Sequence, residues 1–227
     1  MLHYWRLLRR RIFYYDLIQR KDADGLAPYV LPGAHFEDHA MIIELLDREH
    51  RNIERLLAVL EHELDIFDRA GRPDYEVIRA IIAYFEVYTE LYHHPQEDQV
   101  FARLKLRDPA AAAGIRDLAR EHQKGAERLR RVAQAVDGVL AGREILRSDV
   151  DAIIRDFLEH ERHHIAMEDR DFFPAAAKAL KPRDWAEVAS AQSRHKDPLF
   201  SDATEKRFDA LRSHILQLEQ EAEAERT

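Results

Sequence analysis

Histidines and acids recur in this chain at spacings that suit metal binding. "HHPQED", His93 to Asp98, sets two imidazoles four residues ahead of two carboxylates. "HHIAMED", His163 to Asp169, nearly repeats the arrangement in the second half, with one more residue between the pairs. Residues i and i+4 share one face of a helix, about a turn apart. His93 with Glu97, and His164 with Glu168, can therefore each aim a nitrogen and an oxygen at one point. Two further histidines complete a pattern: His50 in "EHRNIERLL" and His122 in "EHQKGAERLR". His50 precedes His93 by 43 residues, and His122 precedes His164 by 42. Each half is thus a helix pair with one histidine on its first helix and a His/Glu pair on its second.

That donor count has a chemical meaning. Four imidazoles and two carboxylates exceed the needs of one closed tetrahedral zinc. They suit two cations, because a carboxylate can bridge both and offset part of their repulsion. Imidazole with carboxylate suits iron, manganese or zinc. Some positions carry alternatives. His94 with Asp98 forms a second i, i+4 pair, rotated by about 100° from the first. On the last helix the rotated partner of His163 is Met167, and a thioether is a poor ligand for iron. That favours His164, and by analogy His93, with His94 the alternative ligand. His160, one turn before His164, is a supporting residue or a fifth nitrogen ligand. Asp98, Asp169, Glu49 and Glu121 adjoin ligand positions, where a carboxylate can orient an imidazole. The plain alternative for all four is a solvated helix face.

Such a site needs helices, and the pattern supplies them. Ile42, Leu46, Ile53, Leu57, Leu60 and Leu64 recur at three and four over a helix from Met41 to about Ala70. Asp74 is the N-cap of a second helix, to about Leu106. Asp108 with Pro109 starts a third, to about Leu140, with an irregularity expected at Gly114. Ser148 caps a fourth, to about Leu180, whose end Pro174 can kink. Four long helices with short connections predict an all-α, up-down-up-down antiparallel four-helix bundle over residues 41–181. Residues 182–227 form a C-terminal helical extension: a short helix capped by Asp184, then a charged amphipathic helix. That last helix packs outside the bundle or offers a contact to a second copy or a partner protein. Residues 1–40 are basic and aromatic, an N-terminal extension or a start-site artefact. Tyr84, Tyr88 and Tyr92 line the second helix as core or rim aromatics.

Composition narrows the function. The 227 residues include no cysteine, which excludes disulfides, thiolate metal sites and thiol catalysis. A net charge of −8 gives no nucleic-acid signal. No apolar run is long enough to span a membrane. The expected location is cytoplasmic. No phosphate loop, nucleophile elbow or dinucleotide fingerprint is present, which points to a metal-binding protein rather than a classical enzyme.

From about Met41 to Leu180 the chain resembles the hemerythrin-like, HHE cation-binding proteins. The resemblance rests on "EHRNI", "HHPQED..F", "EH" and "HHIAMEDRDFFP" in that order. It implies a carboxylate-bridged non-haem di-iron centre held by His50, His93, Glu97, His122, His164 and Glu168, with both glutamates bridging. It also implies binding of, or response to, oxygen, nitric oxide or a reactive species, in sensing, stress response or iron-centre repair. The oxygen carriers of the family have a second histidine one turn after the position of His122. Here that position is Ala126. The sequence is then one histidine poorer than a carrier, which points away from reversible oxygen carriage. Two other functions fit the same residues: iron storage, delivery or regulation without ligand chemistry, and an interaction module with a vestigial site.

Overall fold

A computed structural model describes residues 37–115, 117–191, 197–201 and 204–224 of the chain. The segment read as an N-terminal extension therefore lies, but for residues 37–40, outside the described residues, as does His195. Among the described residues every regular element is helical. Four long stretches make the core. The first is α1, Glu37–Asp68, which begins one turn before Met41. The second is α2, Tyr75–Tyr84, continued by a π-helical stretch π1, Phe85–His93, and by α3, His94–Arg107. A short α4, Pro109–Gly114, leads to the third, α5, Leu118–Leu140. The fourth is α6, Arg147–Met167, then π2, Glu168–Phe172, and α7, Phe173–Ala179. Two more follow: α8, Pro182–Ala191, and α9, Asp209–Ala224, after a single 3-10 turn.

Local chemistry explains most of these boundaries. Asp74 accepts from the amides of Glu76 and Val77 at 3.0 and 3.2 Å. Asp108 accepts from Ala111 at 2.9 Å, and Pro109 follows it, where its missing amide costs nothing. The irregularity expected at Gly114 is the break between α4 and α5. Two caps differ from expectation. Leu146, not Ser148, precedes α6, and no side chain caps it. Asp184 lies inside the first turn of α8 and reaches back to the amide of Lys181 at 2.8 Å, the acid half of a capping box. Its other task is a two-pronged ion pair with Arg107 at 2.7 and 2.8 Å, which fastens α8 to α3.

Neither the second nor the fourth long helix is regular. Each widens into a π stretch that ends two residues before a proline, Pro95 and Pro174. A proline inside a helix cannot donate to the carbonyl one turn back, and its ring collides with that carbonyl. Widening to the i→i+5 pattern relieves both and inserts an extra residue into the turn. The buried face shifts accordingly. Before the junction it runs Phe85, Thr89, His93; after it, His94, Glu97, Phe101, Leu104.

The four stretches close a ring. α1 packs on α2 and α6, and α5 packs on α2 and α6. Inside are two apolar clusters. One holds Ile53, Leu57, Phe85, Tyr88, Leu129, Val136 and Phe157. The other holds Leu46, Val100, Phe101, Leu118, Phe172, Phe173 and Trp185. Between them, in sequence along every long helix, lie the predicted ligand residues. The C-terminal helix adds Leu211 and Ile215 to the first cluster, the 3-10 turn before it adds Phe208, and the helix packs on α1 and α2. His214 there is no free surface residue; it pairs with buried Glu63 at 3.1 Å.

Candidate metal centre

The polar layer between the clusters contains every residue the repeat singles out. His50 is 2% exposed, His93 2%, Glu97 0%, His122 7%, His164 5% and Glu168 0%. Fully burying two carboxylates is costly unless they are paired or hold a cation, so the layer has to be explained by what it binds. Their donor atoms fall into two overlapping groups, each within 4.8 Å: His50, His93 and Glu97; and His94, Glu97, His122 and His164. Glu97 belongs to both. Glu168 faces the same space, at 3.4 Å from His50 Nε2, 3.6 Å from His122 Nε2 and 3.3 Å from His164 Nε2.

His94 is in the centre as well. The sequence offers His93 or His94; the structure brings both inward, because π1 ends between them. The His94 ring stacks on His122 at 4.0 Å and meets His164 edge-on at 5.8 Å. An α-helical period applied through residue 93 cannot show this. The signal that could have is Pro95, whose missing amide calls for a local change of period. His160 stands elsewhere: its Nε2 contacts the carbonyl of Glu121 at 3.3 Å, and it lies in neither donor group.

The outward nitrogens are backed by acids. Asp169 accepts from His50 Nδ1 at 2.7 Å, and Glu49 from His93 Nδ1 at 2.8 Å. Asp98 lies 3.2 Å from His122 Nδ1, and Glu90 3.3 Å from His94 Nδ1, as ion-pair neighbours without hydrogen-bond alignment. A carboxylate on Nδ1 fixes the proton there and leaves the Nε2 lone pair free to bind a metal. The repeat shows in this too. Asp98 follows Glu97 and serves the third helix; Asp169 follows Glu168 and serves the first. It fails at one place. Glu49 backs His93, but its counterpart Glu121 pairs with Lys124 at 2.8 Å, and His164 Nδ1 has no hydrogen-bond partner. Glu49 also accepts from the Tyr88 hydroxyl at 2.7 Å, while Tyr84 donates to Asp197 at 2.9 Å.

Electrostatics agree with a cation site. Burial would lower the His50 pKa, but Asp169, Glu168 and Glu97 hold it well above its ordinary value. Against burial, Asp98, Glu168 and Glu97 push His122 up to about 12. Burial raises Glu97, yet His93, His122 and His50 outweigh it and hold that carboxyl well below the usual range. Glu168 is likewise brought down to about 2, against burial and Glu97, by His164, His122 and His50. Burial and the neighbouring His122 push His94 well below its ordinary value. Positive protons thus stand where the carboxylates call for positive charge. Still, Glu97 Oε2, both oxygens of Glu168, and Nε2 of His122 and His164 lack a hydrogen bond. Orphaned donors of this kind, turned toward one another, are what metal ions satisfy.

An all-helical bundle with a buried His/Glu cluster defines a class of cation-binding proteins. A profile of the hemerythrin HHE cation binding domain matches residues 41–176. The chain belongs to that family. No curated protein and no solved structure matches the chain significantly. No helix among the described residues is long and apolar enough to cross a membrane.

Proposed function

We propose that the chain holds two iron ions bridged by Glu97 and Glu168 and uses them to bind or respond to a small ligand such as oxygen or nitric oxide. The observation that carries this reading is the sharing of Glu97 between two imidazole groups, with Glu97 Oε2 and both oxygens of Glu168 left without a hydrogen bond. A carboxylate in that position suits a bridge. The nitrogen donors divide unevenly: His94, His122 and His164 on one side, His50 and His93 on the other. An ion held by His50 and His93 would have fewer imidazole donors than one held by His94, His122 and His164, which would leave it the better placed to take an external ligand. Bound iron would supply ligand affinity and one-electron redox chemistry. The chain's own part is to orient the imidazoles through Asp98, Asp169 and Glu49, and to exclude water with an apolar cluster on each side.

His94 also alters the weight of Ala126. The fifth imidazole, absent from the third helix, comes from the second. Nitrogen count therefore gives no argument against oxygen binding.

Anaerobic loading with ferrous iron, followed by metal quantitation and Mössbauer spectra, tests the centre. Two irons per chain are expected, and at most one in Glu97→Ala. An unchanged iron content and spectrum in that variant would refute the bridge. Exposure of the loaded protein to oxygen and to nitric oxide should change its optical spectrum. Full iron with no response to either gas would favour storage or regulation instead.

A further inference from the structure

The third and fourth helices meet outside the metal centre around a surface cavity of about 340 Å³. Its walls include Glu121, Asp156, Glu159, His160 and His163. The two cations beside them are engaged: Lys124 with Glu121 at 2.8 Å, Arg128 with Asp156 at 3.2 Å. The cavity thus offers nitrogen and oxygen donors to solvent, on the outer side of the helix that carries His164.

Behind it lies a second feature. Gly125 is buried, and a β-carbon there would stand 2.9 Å from Glu161 Oε1 and 3.5 Å from His160 Nε2. A carboxylate and an imidazole therefore converge on one point, which stays open because residue 125 has no side chain. Glu161 is 3% exposed. A carboxyl placed this deep needs a reason. The metal centre does not give one directly, since Glu161 is in neither donor group. Its helix does connect it. Glu161, His164 and Glu168 follow at three and four on the buried face of α6 and π2. His160 bridges outward: it lines the cavity, and its ring lies parallel to that of His164 at 6.2 Å.

We propose that His160 and Glu161, meeting at Gly125, form a transit site through which a divalent cation passes from the surface cavity to the buried His/Glu centre. This rests on the metal-centre reading above and adds the route of filling. An ion arriving from water meets His160 first, displacing its 3.3 Å contact to the Glu121 carbonyl. The Glu161 carboxylate then takes over part of the ion's coordination, so the ion never crosses apolar surface without a ligand. A route built this way acts on the rate of loading. It leaves the final occupancy to the centre.

The test uses the full-length, metal-free protein and cobalt(II), which takes the same nitrogen and oxygen donors and colours when bound. Stopped-flow absorption gives the loading rate, and metal quantitation gives the endpoint. His160→Ala and Glu161→Gln should load roughly 10-fold more slowly, the scale on which local charge governs encounter, and reach the wild-type endpoint. Gly125→Ala, which puts a methyl group at the meeting point, should also slow loading. It keeps the comparison available should Glu161→Gln fail to fold. Wild-type rates in His160→Ala and Gly125→Ala would overturn the route. So would a lowered endpoint in Glu161→Gln, which would make that residue a permanent ligand. Wild-type protein that binds no cobalt at any time would instead sink the metal centre itself.

Discussion

Asp169 shows how a charged surface residue can act at a buried site. Its carboxylate is 43% exposed, yet it holds Nδ1 of His50 at 2.7 Å. Without it the imidazole can rotate and take the other tautomer, which turns a proton toward the metal. Asp169→Ala is expected to weaken metal binding by roughly 10- to 100-fold with no change in helix content. Competition against a chromophoric chelator measures this, and unchanged affinity would show that packing alone orients His50. Glu161 makes a different prediction, about pH. Burial, then Glu90 and Glu168, push its pKa up to about 8 from an ordinary value of 4.5. Between those values the unfolded chain has released the proton that the folded chain keeps. The unfolded state then binds fewer protons, so this group's contribution to stability falls as pH rises from about 4.5 to 8. Metal-free Glu161→Gln should therefore gain on wild type with rising pH, by roughly 4 kcal/mol near pH 8. Melting temperatures across that range check it; parallel curves would mean that the carboxyl is ionised throughout or is hydrated.

The helices were legible in the sequence wherever the α period holds. The apolar stripes of α1 and α5, the caps at Asp74 and Asp108, and the break after Gly114 all follow from local rules. Four of the six expected ligands, His50, His122, His164 and Glu168, need nothing more than phase to be found inward. The second helix was only partly legible. Choosing between His93 and His94 assumed that adjacent residues of a helix diverge, and π1 removes that assumption. Leu91, inside π1, is 59% exposed and makes little packing. Deleting it should remove the extra residue and restore an α turn. His93 and His94 would then no longer both face inward. The expected result is retained helical circular dichroism with weakened or lost binding of one metal, measured by quantitation after desalting. Two tightly held metals in the deletion variant would mean that one of these histidines is dispensable. The outward acids were legible as candidates but not in their pairing. Which imidazole each one serves depends on the neighbouring helix, and Glu121 was taken by Lys124.

At the scale of the described molecule, the layer of imidazoles and carboxylates separates the two apolar clusters. Cations bound there favour only the folded form, so loading should raise the melting temperature. The gain is about 2.7 kcal/mol at a free metal concentration of 100 times Kd, and chelation should reverse it. Calorimetry with and without iron measures this; coincident transitions would be incompatible with a structural layer that the metal completes. The C-terminal helix works on one side of the layer only. Its Leu211 and Ile215, with Phe208 of the turn before it, are spent on the first apolar cluster, with Arg55–Glu219 and Glu63–His214 at the border. That face of the helix is accordingly not available to a partner.

The divided interior bears on how long a copy of the protein lasts. If ions fill the layer as proposed, their removal would leave buried carboxylates without that charge in the middle of the bundle, and opening there would expose both apolar clusters together. Proteases and chaperones act on such open forms in proportion to how often they occur. On that reading the lifetime of the chain would follow the supply of its metal, and its abundance would become a slow record of that supply.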